Sequence, residues 1–164
     1  MISGTTHGLE LRFERIGGWT LPVVAFARSA RTLSAFASAL IGNSVTTSKP
    51  GANRTKSWKL AVAGVVKAQR GPAPWISEQR IAISLGFTFH AASHGNRPLD
   101  IENFLKPTLD AIAAGLFAAN EIRLEEVTRW HFDDSGFRDL YAHRLPDVAT
   151  AAHEGAAVFV CAER

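Results

Sequence analysis

The chain has 164 residues, 46% of them hydrophobic and 20% charged, a composition that sustains a packed core and excludes an intrinsically disordered protein. No apolar run is long enough to cross a bilayer, and the single cysteine, Cys161, excludes an internal disulfide and a cysteine-only zinc site. The net charge of +3 conceals an asymmetry: residues 1–80 carry 11 Lys/Arg against 3 Asp/Glu, whereas residues 81–164 carry 7 against 12.

A basic half suits a phosphate-rich partner, and an acidic half suits a place where cations gather. Charge asymmetry alone is equally the mark of two solvated surfaces. The opening stretch MISGTTHGLELRFER lacks the basic-then-apolar layout of a secretory signal, so a reducing cytoplasm is the expected compartment.

Along the chain, Leu21 to Arg28 (LPVVAFAR) reads as a strand, rich in valine and apolar throughout. Thr32 to Ile41 (TLSAFASALI) reads as a short helix, because small residues alternate with Leu, Phe and Ile. Residues 42–57 (GNSVTTSKPGANRTKS) read as a loop dominated by Gly, Asn, Ser, Thr and Pro. Trp58 to Gln69 has apolar residues at near-helical spacing, and GPAPW at 71–75 is a rigid connector. Arg80 to Phe89 places Ile81, Ile83, Leu85, Phe87 and Phe89 on one face, a period-2 strand. Residues 90–98 read as a loop.

From Ile101 to Phe117 the period becomes helical, with Leu105, Leu109, Ile112 and Leu116 in one apolar stripe. Asp100 is the expected cap at its start. Pro107 interrupts this helix, so either the regular part begins near Asn103 or Phe104 or the first turn is bent. Gly115 is expected to loosen its end. Glu121 to Asp133 reads as a strand, followed by a polar loop. Ala156 to Cys161 (AAVFVC) reads as a closing buried strand. The expected class is α/β or α+β, one domain over residues 1–164 with a small mixed sheet flanked by helices.

The chemistry concentrates in Arg97 to Asp110, RPLDIENFLKPTLD. Glu102, Lys106 and Asp110 recur every four residues and therefore share one side of a helix, with Asp100 just before it. Grouped carboxylates at a helix N-terminus are hard oxygen ligands suited to Mg²⁺ or Mn²⁺. Such a metal activates water and neutralises charge at phosphorus. The same spacing also describes an ordinary surface ion pair, Glu102 to Lys106, beneath a capping aspartate.

At these residues the sequence resembles the RusA family of Holliday-junction resolvases. The family pattern is a basic residue and proline, then Asp-x-Asp-Asn-x-x-Lys-x-x-x-Asp-Ala, with an acidic pair opening a strand about ten residues later. It is matched here by Arg97-Pro98, Asp100, Glu102-Asn103, Lys106 and Asp110-Ala111, with Asn120-Glu121 at the later position. The resemblance covers about residues 80–132. It implies a RusA-like fold and a Mg²⁺- or Mn²⁺-dependent endonuclease acting on branched DNA in recombination and repair. It implies Asp100, Glu102 and Glu121 as metal-binding carboxylates and Lys106 as a catalytic cation beside the scissile phosphate. Asn103 and Asp110 become supporting residues, and the active form becomes a homodimer.

Two positions depart from the family pattern. Glu102 stands where aspartate is usual, and Asn120-Glu121 stands where two aspartates are usual. Glutamate keeps the charge but is one methylene longer, and magnesium demands near-ideal geometry. The alternative is therefore a resolvase-like module that binds branched DNA without cutting it.

Lys49, Arg54, Lys56 and Lys59, in the segment KPGANRTKSWK, are candidate phosphate contacts together with Arg97. Trp58 could stack on an unpaired base or belong to the core. His90 and His94 are four apart but lack the glutamate of the zinc-protease arrangement, and Cys161 reads as a core residue. No Walker or Rossmann glycine pattern is present, so no nucleotide cofactor is expected.

Overall fold

A computed structural model describes residues 9–26, 33–41, 52–75, 80–89, 101–117, 137, 139–149 and 154–163. Their fold is mixed α+β. The strands are β1 (Leu9–Ile16), β2 (Trp19–Phe26), β3 (Leu33–Ile41), β4 (Arg80–Thr88), β5 (Asp139–Arg144) and β6 (Gly155–Glu163); the helices are α1 (Ala52–Gln69) and α2 (Glu102–Phe117).

Four strands form one sheet in the order β3-β6-β4-β5. β6 pairs antiparallel with β3 and β4, and β4 pairs parallel with β5. β1 and β2 form a separate antiparallel hairpin. Side-chain alternation divides the core in two. Ile81, Ile83, Leu85, Phe87 and Phe89 join Ala156, Val158, Val160 and Ala162 in a cluster with Val62, Val66, Leu109, Ile112 and Leu116 from the helices. Ala82, Ala157, Phe159 and Cys161, on the opposite parity, join Ile16, Leu21 and Val23 of the hairpin. β4 and β6 are thus buried on both faces, which explains why Ser84 and Thr88 are buried along with their apolar neighbours.

The hairpin follows from local chemistry. Gly17 and Gly18 both have positive φ, 56° and 88°, and Ile16 pairs directly with Trp19. A two-residue loop with both residues left-handed matches the twist of its strands, and glycine adopts it without strain. Pro22 is tolerated in β2 because that strand has a paired neighbour on one side only.

Several expectations hold. The strands expected at Leu21 and at Arg80 to Phe89 are β2 and β4, and the closing strand is β6, lying between β3 and β4. Residues 71–75 connect without regular structure. Four are corrected. The segment expected as a helix, Thr32 to Ile41, is strand β3: its pairing with β6 outweighs the helical preference of its alanines. Helix α1 begins at Ala52, so the last six residues of the expected loop are helical. β5 lies inside the expected polar loop, as an edge strand with Leu140 and Tyr141 exposed. Gly115 does not loosen α2. A Cβ there would lie 2.7 Å from the Ala63 carbonyl oxygen and 2.7 Å from Val66 Cβ, so glycine permits close approach of α1 and α2. The expected strand Glu121–Asp133 lies outside the described residues.

The ends of the two helices are tied together. The Arg70 guanidinium donates to the Leu116 carbonyl at 2.6 Å, and the Trp75 amide donates to the same oxygen at 2.8 Å. The Trp75 indole donates back to the Arg70 carbonyl. A cation on the last carbonyls of α2 also complements the negative end of its dipole. Burial lowers the Arg70 pKa from its ordinary value, and arginine remains charged nonetheless. No helix among the described residues is long and apolar enough to cross a membrane.

Candidate functional site on helices α1 and α2

Helix α2 carries the central motif. The Ile101 carbonyl accepts hydrogen bonds from the Phe104 and Leu105 amides, both at 3.0 Å. By this bonding Ile101 takes the cap position, one residue later than the expected Asp100. Pro107 lies inside the helix, at its second turn, and the helix continues through it. Phe104 anchors the first turn to the sheet, its ring 4.7 Å from Phe89 and 6.3 Å from Phe87.

The three residues spaced by four behave differently. Glu102 is exposed in the first turn, where the helix dipole favours a carboxylate. The Lys106 side chain is 55% exposed. Asp110 is buried, its side chain 7% exposed, against α1. Lys106 pairs forward with Asp110: its Nζ lies 2.9 Å from Oδ1. The other carboxylate oxygen, Oδ2, accepts from Lys59 Nζ at 3.1 Å. A buried carboxylate needs such partners, and here two ammonium groups divide its two oxygens.

Lys59 lies on α1, its side chain is 12% exposed, and its ammonium faces Asp110, not a solvated loop. Trp58 is a core residue. Its indole donates to Thr108 Oγ1 at 3.0 Å, and the Thr108 hydroxyl donates to the Phe104 carbonyl at 2.7 Å. Burial in this bond leaves no face for stacking on a base. Nothing in the sequence predicts either cross-helix bond, because the partners are 50 and 51 positions apart. Lys56 is half-buried, three residues before Lys59 on the same helix. Arg54 belongs to the first turn of α1, and α1 carries four basic residues and no acidic one.

Asn103 belongs to α2, and nothing further is described of its side chain. Asp100, Glu121, Lys49 and Arg97 lie outside the described residues, as do His90 and His94. Among the described residues, no group of three or more His, Cys, Asp or Glu side chains is placed to hold a metal ion. Glu102, an exposed hard-oxygen donor, is the one expected metal ligand within them. Asp110 pairs with two lysines.

No protein-family model matches the chain, and no curated protein matches it.

Proposed function

We propose that the chain is a metal-dependent endonuclease that hydrolyses phosphodiesters in branched DNA, in the manner of the junction resolvases its motif resembles. The observation that carries this reading is the surface of α2. An exposed carboxylate, Glu102, stands one turn before a half-exposed ammonium, Lys106, which a buried carboxylate, Asp110, holds at 2.9 Å. A cation held beside an acidic ligand is what a phosphodiester requires.

In this reading Asp100, Glu102 and Glu121 would hold Mg²⁺ or Mn²⁺, which when bound would supply polarisation of a phosphate oxygen and a water of lowered pKa. Lys106 binds a phosphate oxygen and stabilises charge on the leaving oxygen. Arg54 and Lys56 on α1, with Lys49 and Arg97, neutralise neighbouring phosphates and make affinity fall with salt. The active form is a homodimer that places two such sites on one four-way junction, in the cytoplasm, during recombination or repair.

The test is nicking of an end-labelled synthetic four-way junction by the wild type and by Asp100→Asn. The expected outcome is paired nicks with Mg²⁺, none in a chelator, and a loss in the variant on the order of 100-fold or more. Cutting without metal, or full activity in Asp100→Asn, overturns the mechanism. Salt-sensitive binding with no nicks in Mg²⁺ or Mn²⁺ would instead identify a module that binds without cutting.

A further inference from the structure

We infer that Lys59 is a positioning residue for Lys106, acting through Asp110, and that the three side chains form a single phosphodiester-binding unit. The inference rests on the nuclease reading for the identity of the anion, but its geometry stands without it. The Asp110 carboxylate meets Lys59 at Oδ2 and Lys106 at Oδ1, at 3.1 and 2.9 Å. The two lysines carry equal charge and unequal access. The Lys59 side chain, 12% exposed, is enclosed between the helices, and that of Lys106, 55% exposed, is presented to solvent.

A buried aspartate with one lysine is a neutral pair. It would draw that lysine inward with both oxygens and offer an anion little attraction. A second ammonium on the inner oxygen changes this. The unit then carries one net positive charge, and its accessible part is the Lys106 ammonium. Lys59 supplies charge that it does not itself present.

The unit is also rigid. Trp58 donates to Thr108 immediately beside the Lys59–Asp110 pair, so two successive residues of α1 are fastened to residues 108 and 110 of α2. Gly115 lets the helix backbones approach farther along the same seam. The placement of Lys106 is thereby coupled to helix α1, on which it does not lie. Preorganised charge of this kind stabilises a developing negative charge without reorganising during reaction.

The experiment is a double-substitution cycle on the full chain with two readouts. Single-turnover nicking of the four-way junction in Mg²⁺ is measured for wild type, Lys59→Met, Lys106→Met and the double variant. Lys106→Met is expected to lose on the order of 100-fold and Lys59→Met on the order of 10-fold. If Lys59 acts through Lys106, the double variant loses no more than about twofold beyond Lys106→Met. Lys59→Arg, which keeps the charge and a donor, is expected to recover most of the activity. The second readout is nitrogen NMR of the lysine ammonium groups without DNA: the Lys106 signal is expected to shift in Lys59→Met and in Asp110→Asn alike.

Multiplicative losses in the cycle together with an unmoved Lys106 signal overturn the inference and leave the nuclease reading intact. A wild type that does not nick removes the nuclease reading, and the NMR arm then decides the Lys59 coupling alone. Circular dichroism spectra matching the wild type establish that each variant is folded. Should Lys59→Met fail that check, Lys59→Gln carries the same comparison.

Discussion

On one face of the four-stranded sheet lie two helices fastened to each other by directional bonds. On the other lies a hairpin held by apolar contact. The helix layer contains Trp58 to Thr108, Lys59 and Lys106 to Asp110, and Arg70 to Leu116. The hairpin layer contains Ile16, Leu21 and Val23 against Ala82, Ala157, Phe159 and Cys161, with the Arg12 guanidinium 5.4 Å from the Phe159 ring centre. Its outer face leaves Leu11 and Phe13 64% and 70% exposed. Apolar burial is non-directional and tolerates small shifts, whereas hydrogen-bonded charge fixes register. The candidate chemistry belongs to the layer whose geometry is fixed.

This contrast is open to substitution, followed by urea unfolding. The largest effect is expected at Asp110→Ala, which leaves the enclosed Lys59 ammonium without its buried carboxylate. Breaking a buried pair by removing one partner costs roughly 3 kcal/mol or more. Gly115→Ala comes next, at about 2 kcal/mol, because the new Cβ meets the Ala63 backbone oxygen and Val66, and neither can rotate away.

Gly86→Ala probes the hairpin side. Its Cβ would meet Leu21 Cδ1 at 2.6 Å, Leu145 Cδ1 at 2.8 Å and Leu145 Cγ at 2.9 Å, all side-chain atoms and none of them backbone. About 1 kcal/mol is expected, less than at Gly115. Phe13→Ser, on the outer face of the hairpin, should change stability by no more than about 0.5 kcal/mol. A Gly86 cost equal to or above that of Gly115 would reverse the ranking of the two layers.

The legible parts of the chain were those where one physical signal dominates. The α2 stripe was visible because Leu109, Ile112 and Leu116 repeat at helical spacing and all are buried. β4 was visible through Ile81 to Phe89, although burial on both faces follows from the hairpin and not from its own pattern. β3 misled because LSAFASALI has no β-branched residue before Ile41, and pairing with β6 decides its state. The start of α1 was hidden because residues 52–57 are mostly polar and resemble a loop. The sequence signal for β1 is Gly17-Gly18 between apolar stretches, which marks a hairpin. At the site, spacing alone placed Glu102, Lys106 and Asp110 on one helix side. It could not say that Asp110 faces inward, nor that Lys59 completes it from α1, because tertiary packing alone brings those residues together.

In the nuclease reading, carboxylates distant in sequence trap a divalent ion beside Lys106. The most direct measurement is a crystal structure grown with Mn²⁺, with the ion located by its anomalous scattering. One Mn²⁺ per chain is expected, bound by oxygens of Asp100, Glu102 and Glu121. A Glu121 side chain on the far side of the molecule from Glu102, or no Mn²⁺ at these residues, would contradict it.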